Sequence, residues 1–142
     1  MLIAVDFDGT IVEHEYPRIG RERPFAIVTL KKIQAEGHRL VLWTYREGLE
    51  LQEAIDWCAQ RGLEFDCVNS DDPLQSEPRG PRKINAEMYI DDRNVGGLPD
   101  WGAIYEMVHN GWSYRRYISE MHARHNRPEP RRSLLQRLFG RD

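Results

Sequence analysis

Cysteine, long apolar runs and net charge are all scarce in this chain. Two cysteines in 142 residues, Cys58 and Cys67, cannot build a disulfide framework, and their nine-residue separation fits neither a zinc site nor a CxxC pair. Each reads as a small buried hydrophobe, with no bridge expected in a chain read as cytoplasmic. No stretch reaches the ~20 apolar residues of a membrane span, and "LIAV" is too short for the apolar part of a signal peptide. A membrane partner is therefore not expected. A formal charge of -3 excludes a polycation that seeks nucleic acid along its whole length. No internal repeat is visible.

The small charge conceals an asymmetry. From Ser113 onward eight arginines face only Glu120, Glu129 and Asp142, which makes the C-terminal arm +5 and leaves -8 for the rest. The expected organisation is a core over residues 1–112 and a helix with an arginine-rich arm over 113–142. "SYRRYISEMHARHN" can form a helix, "RPEPRR" breaks it, and "SLLQRLFG" is a short amphipathic segment. The arm either packs on the domain and frays, or docks on a second subunit or an anionic partner. A homo-oligomer through the arm is thus one expectation.

Apolar runs alternate with helical patterns through the core. "LIAV", "RLVLWT", "FDCVN" and "AEMYI" read as strands, and "FAIVTLKKIQAEGH", "GLELQEAIDWCAQRG" and "DWGAIYEMVHNG" as helices stopped at Gly37, Gly62 and Gly111. "IVEHEYPRIGRERP", broken by prolines and a glycine, reads as a loop or flap. Strand–helix alternation predicts an α/β fold, a Rossmann-like parallel sheet with helices on both faces. In such sheets ligands bind beyond the carboxyl ends of the strands. Asp6, Asp8, Thr44 and the pair Asp91–Asp92 all follow predicted strands, so polar groups should converge on one sheet edge.

Two carboxylates in "DFDGT", with a third from another strand, make an oxygen-rich nest suited to magnesium together with a substrate phosphate. Asp6 can serve as nucleophile and Asp8 as general acid and base. Thr44 offers a hydroxyl and an N–H to phosphate oxygens. Lys83 offers counter-charge, with Arg82 its competitor in the same loop.

"DFDGT" after an apolar strand resembles the first motif of the haloacid-dehalogenase-like (HAD) phosphatases. "LVLWT" is similar to their second motif, Lys83 to their third and "MYIDD" to their fourth, in order from Leu2 to Asp92. The resemblance implies a HAD-like, magnesium-dependent hydrolase that cleaves a phosphate monoester through an aspartyl phosphate on Asp6. It implies that Asp6, the Asp8 carbonyl and Asp92 bind Mg2+ directly, with Asp91 orienting or water-mediated. Thr44 and Lys83 would hold the phosphoryl group. Gly9 would form the tight turn after the second aspartate, and Gly9 and Thr10 fall with Arg46 on the substrate side. Arg46 has the offset at which polynucleotide-kinase-type phosphatases place an arginine on substrate phosphate; the alternative is a surface ion pair.

The intervals Thr10–Thr44 and Thr44–Lys83 are too short to hold a cap domain, so a capless member is expected. The expected substrate is a phosphorylated small molecule, a sugar phosphate or nucleotide, ahead of nucleic acid. A polynucleotide end phosphatase and a non-catalytic phosphate-binding or interaction module are the alternatives. Trp43 and Trp57 read as core aromatics, and His14, between Glu13 and Glu15, as part of the flap.

Overall fold

A computed structural model describes residues 1–72, 74 and 84–126. The elements in chain order are β1 (Leu2–Val5), α1 (Ala26–Ala35), β2 (Arg39–Leu42), α2 (Gly48–Ala59), β3 (Cys67–Val68), β4 (Met88–Ile90), α3 (Trp101–Asn110) and α4 (Tyr114–His125). Four parallel strands form one sheet in the order β3-β2-β1-β4. The chain thus moves outward from β1 through β2 to β3, then returns to the other side of β1. That reversal leaves a crevice between β1 and β4 at their carboxyl ends.

Why these segments fold so follows from their apolar content. Ile3, Ala4 and Val5 in β1 and Leu40, Val41 and Leu42 in β2 are wholly buried, as a strand covered on both faces requires. Ile27, Leu30 and Ile33 turn one stripe of α1 inward, as Ile104, Met107 and Val108 do in α3. Burying a side chain of this size contributes ~1.5–3 kcal/mol. Helix α3 is also well capped. The Asp100 carboxylate accepts from the Ala103 N–H at 3.0 Å, and Gly111, at φ 62°, lets the Trp112 N–H return to the Met107 carbonyl at 2.8 Å.

Among the described residues the sheet is dressed unevenly. Buried side chains of α1, α2 and α3 all join one cluster with Ile3, Val5, Leu40 and Leu42. The alternate strand residues Ala4, Val41 and Cys67 face the other way, where among the described residues they meet Ile84, Ala86, Trp43 and Tyr89 rather than a helix. Crossovers β1–α1–β2 and β2–α2–β3 run in the same direction along the sheet, so two like-handed units lay their helices on the same face.

Helix α4 buries none of its residues and is tied to α3 by Arg124 on Glu106 at 3.2 Å. Residues 127–142 of the arm lie outside the described residues, as do Arg82 and Lys83. Cys58 and Cys67 are buried free thiols, and burial pushes the Cys58 thiol up to about 12. Among the described residues no helix is long and apolar enough to cross a membrane.

Candidate functional site

Strand register brings the acidic residues together. Val5 pairs with Ile90 across β1 and β4, so the next residues, Asp6 and Asp91, emerge side by side, and the Asp6 N–H still donates to the Ile90 carbonyl at 2.9 Å. Carboxylate oxygens of Asp6, Asp91 and Asp92 lie within 4.8 Å of one another. Thr44 arrives from the neighbouring strand, one residue after Trp43, whose N–H donates to the Val5 carbonyl at 2.8 Å.

The turn after β1 brings Asp92 close. The N–H groups of Thr10, Ile11 and Val12 all point to the Phe7 carbonyl, at 3.3, 2.9 and 3.2 Å. Gly9 sits at φ +88°, and a Cβ there would lie 2.3 Å from Asp92 Oδ2. Only glycine leaves room for that carboxylate. Thr10 is fully buried; its hydroxyl donates to Asp6 Oδ2 at 3.1 Å and accepts the Asp92 N–H at 3.0 Å. It therefore braces two acids from below instead of facing substrate, which corrects its expected place.

The cluster is electrostatically expensive. Burial, reinforced by the charges of Asp91 and Asp92, pushes the Asp6 carboxyl from 3.8 up to about 7, against hydrogen bonds from the Phe7 backbone and Thr10. Among the described residues no basic side chain forms an ion pair with Asp6, Asp91 or Asp92. Asp92 Oδ1 is buried and has no hydrogen-bond partner among the described residues. Convergent hard oxygens, an orphaned buried acceptor and a suppressed charge fit a small divalent cation such as magnesium.

Asp8 and Arg46 depart from expectation. The Asp8 carboxylate is not in the acidic cluster: Arg46 grips it with two parallel bonds, Nε to Oδ2 at 2.7 Å and one terminal nitrogen to Oδ1 at 2.8 Å. Arg46 is wholly buried. Its remaining donors go to the carbonyls of Pro17, Arg18 and Glu50 at 2.9, 2.8 and 3.4 Å. A guanidinium so committed is a strut between Asp8 and the flap, not a surface group on substrate phosphate. Both its expected role and the surface ion pair are thereby corrected, and the offset that suggested a polynucleotide substrate loses its force.

Thr44 keeps its place but not its expected donor. Its backbone N–H is spent on the Asn69 side-chain oxygen at 2.8 Å, and its hydroxyl accepts the Arg46 N–H at 3.2 Å. Asn69 follows β3 at φ 49°; an asparagine directly after a short strand was the available signal for it.

Above the cluster opens a cavity of about 510 Å³, within the range of small-molecule sites. The flap contributes His14 and Tyr16 to its wall, the segment after β2 contributes Trp43 and Tyr45, and Arg93 follows β4. Trp43 is half-buried and does both, packing against the second core cluster and forming site wall. Trp57 is also only half-buried, packed edge-on against Phe7 at 5.7 Å with Arg61 over its ring. From Thr10 to Thr44 the chain holds only the flap, α1 and β2.

No family model and no curated protein matches the chain. A solved structure described as that of a conserved protein coded by locus from Bacteroides thetaiotaomicron matches with 59% identity and a TM-score of 0.74, covering 81% of this chain and 94% of that one. At that identity and coverage, the chain belongs to the same family as the Bacteroides thetaiotaomicron protein.

Proposed function

We propose that this protein is a magnesium-dependent phosphomonoesterase of the HAD type, working through an aspartyl phosphate on Asp6. The observation that carries the reading is the Asp6–Asp91–Asp92 cluster at the carboxyl ends of adjacent parallel strands, with one buried carboxylate oxygen unpartnered among the described residues. The motif order from "DFDGT" to "MYIDD" agrees with it.

The carboxylates of Asp6, Asp91 and Asp92, with the Asp8 backbone carbonyl, would hold the ion. When bound, magnesium supplies charge neutralisation for the phosphoryl oxygens. The Asp6 carboxylate attacks phosphorus, the bond from phosphorus to the ester oxygen breaks, and the departing alcohol takes a proton. Water then attacks the phosphorus of the aspartyl phosphate, releasing inorganic phosphate and restoring Asp6. In this reading Asp8 gives the first proton and takes the second. Both its oxygens are held by Arg46, so each transfer requires it to yield one of those charge-assisted bonds. The Thr44 hydroxyl and Lys83 complete the phosphoryl site in this reading; the position of Lys83 lies outside the described residues.

The test is hydrolysis of p-nitrophenyl phosphate with magnesium, with EDTA, and with Asp6→Asn. Magnesium-dependent turnover that Asp6→Asn abolishes supports the reading, whereas activity persisting in Asp6→Asn removes the nucleophile. Magnesium binding without turnover of any ester in a broad panel would favour a non-catalytic phosphate-binding module. Phosphorylated oligonucleotides in that panel address the polynucleotide alternative.

A further inference from the structure

We infer that Tyr16 and Tyr45, at the mouth of the cavity, recognise a flat aromatic ring on the leaving group, so that the substrate is a nucleoside monophosphate rather than a simple sugar phosphate. The inference rests on the phosphate-ester reading above and narrows it. Tyr45 is 81% exposed and Tyr16 42% exposed, although both are large rings beside a polar site. They meet edge-on, with centroids 5.8 Å apart and planes at 69°. Both line the cavity that contains Asp6. Tyr45 directly follows Thr44, so its ring stands one residue from the proposed phosphoryl site.

The Tyr16 ring is held in place, and Tyr45 meets it edge-on. Tyr16 sits on a flap held by the Glu13 N–H to the Arg21 carbonyl at 2.7 Å and the Arg23 N–H to the Ile11 carbonyl at 2.8 Å. The buried Arg46 guanidinium lies 5.3 Å from the Tyr16 ring centre and ties down the carbonyls of Pro17 and Arg18 just beyond. Trp43, a third ring on the same wall, leans edge-on against Tyr89 at 5.2 Å. Rings held in advance lose little entropy on binding, and a nucleobase gains from stacking on any of them. A bare ribose phosphate would leave this apolar wall wet.

The test compares nucleoside 5′-monophosphates with ribose 5-phosphate, the same ester without the base. Stacking at this scale should favour the nucleotide by ~10-fold or more in kcat/KM. Tyr45→Ala and Tyr16→Ala should collapse that ratio toward one, mainly through KM, and Tyr45→Phe should preserve it. Equal turnover of both esters by the wild type, or an unchanged ratio in Tyr45→Ala, overturns the inference. If no ester is turned over, calorimetric binding of the same two compounds with magnesium decides it. Tyr45-dependent preference for the nucleotide would uphold the recognition while the hydrolase reading fails; equal affinity would refute the recognition itself.

Discussion

Replacing Arg46 by methionine should be among the most damaging single changes in the molecule. Methionine retains much of the stem but removes the charge and all five donated side-chain bonds. Asp8, only 9% exposed, would keep a carboxylate with no counter-ion. Breaking a buried ion pair by removing one partner costs ~3–5 kcal/mol. The carbonyls of Pro17 and Arg18 belong to an exposed flap and can be rehydrated, so their loss adds little beyond that. Against a total stability of ~5–15 kcal/mol the change is large. Urea unfolding of the magnesium-free protein, followed through its four tryptophans, measures it. Arg46→Lys should fall between, because an ammonium cannot form the fork. The pair Asp8→Asn/Arg46→Met should recover part of the loss in a double-mutant cycle, since it no longer strands a charge. Arg21→Met is the control: its bond to Glu13 is as short, 2.7 Å, but Arg21 is 80% exposed, and a pair so screened by water adds little. If Arg46→Met cost no more than Arg21→Met, the strut would not be holding Asp8 and the flap.

Gly9→Ala should displace the Asp92 carboxylate, because the new Cβ meets Oδ2 at 2.3 Å and φ +88° strains any side chain; magnesium affinity by calorimetry should fall ~10-fold or more, a loss of the kind that misplaced metal ligands suffer. In EDTA, Asp6→Asn should be more stable than wild type at pH 8, and that advantage should fade toward pH 4. Between 3.8 and about 7 the folded chain keeps a proton on Asp6 that the unfolded chain has released, so stability falls as pH rises through this window. A gap that stayed constant from pH 4 to pH 8 would contradict the burial of Asp6. Cys58, wholly buried and with its thiol raised to about 12, should resist thiol reagents until the protein is unfolded, which timed labelling with and without urea checks.

The sheet and helices were legible because their signals are local. "LIAV" and "RLVL" are buried runs that only a covered strand explains, and Gly37 and Gly111 follow the ends of α1 and α3. Strand ends were overestimated, as at Trp43–Thr44, because hydrophobicity continues past the point where the ladder stops. The side of the sheet taken by each helix was not legible, since periodicity reports a buried stripe and not what it packs on. Convergence of Asp6, Asp91 and Asp92 followed from their places after strands. The direction of Asp8 did not, because its partner lies 38 residues away on another element. Tyr16 and Tyr45 left no trace at all: single aromatics in loops have no period, and only coordinates place two of them at one mouth.

The Arg46 strut also bears on how the site is walled. On the Tyr16 side the wall is a flap joined to the site by one planar group. Two nitrogens of that group hold Asp8, and its terminal nitrogens also hold the flap carbonyls of Pro17 and Arg18. A guanidinium is rigid, so turning it to follow Asp8 misaligns the bonds to the flap, and lifting the flap pulls on the bonds to Asp8. The Tyr16 wall and the acid–base candidate are therefore not independent parts. Fixing both with one buried residue keeps the cavity formed before any ligand arrives.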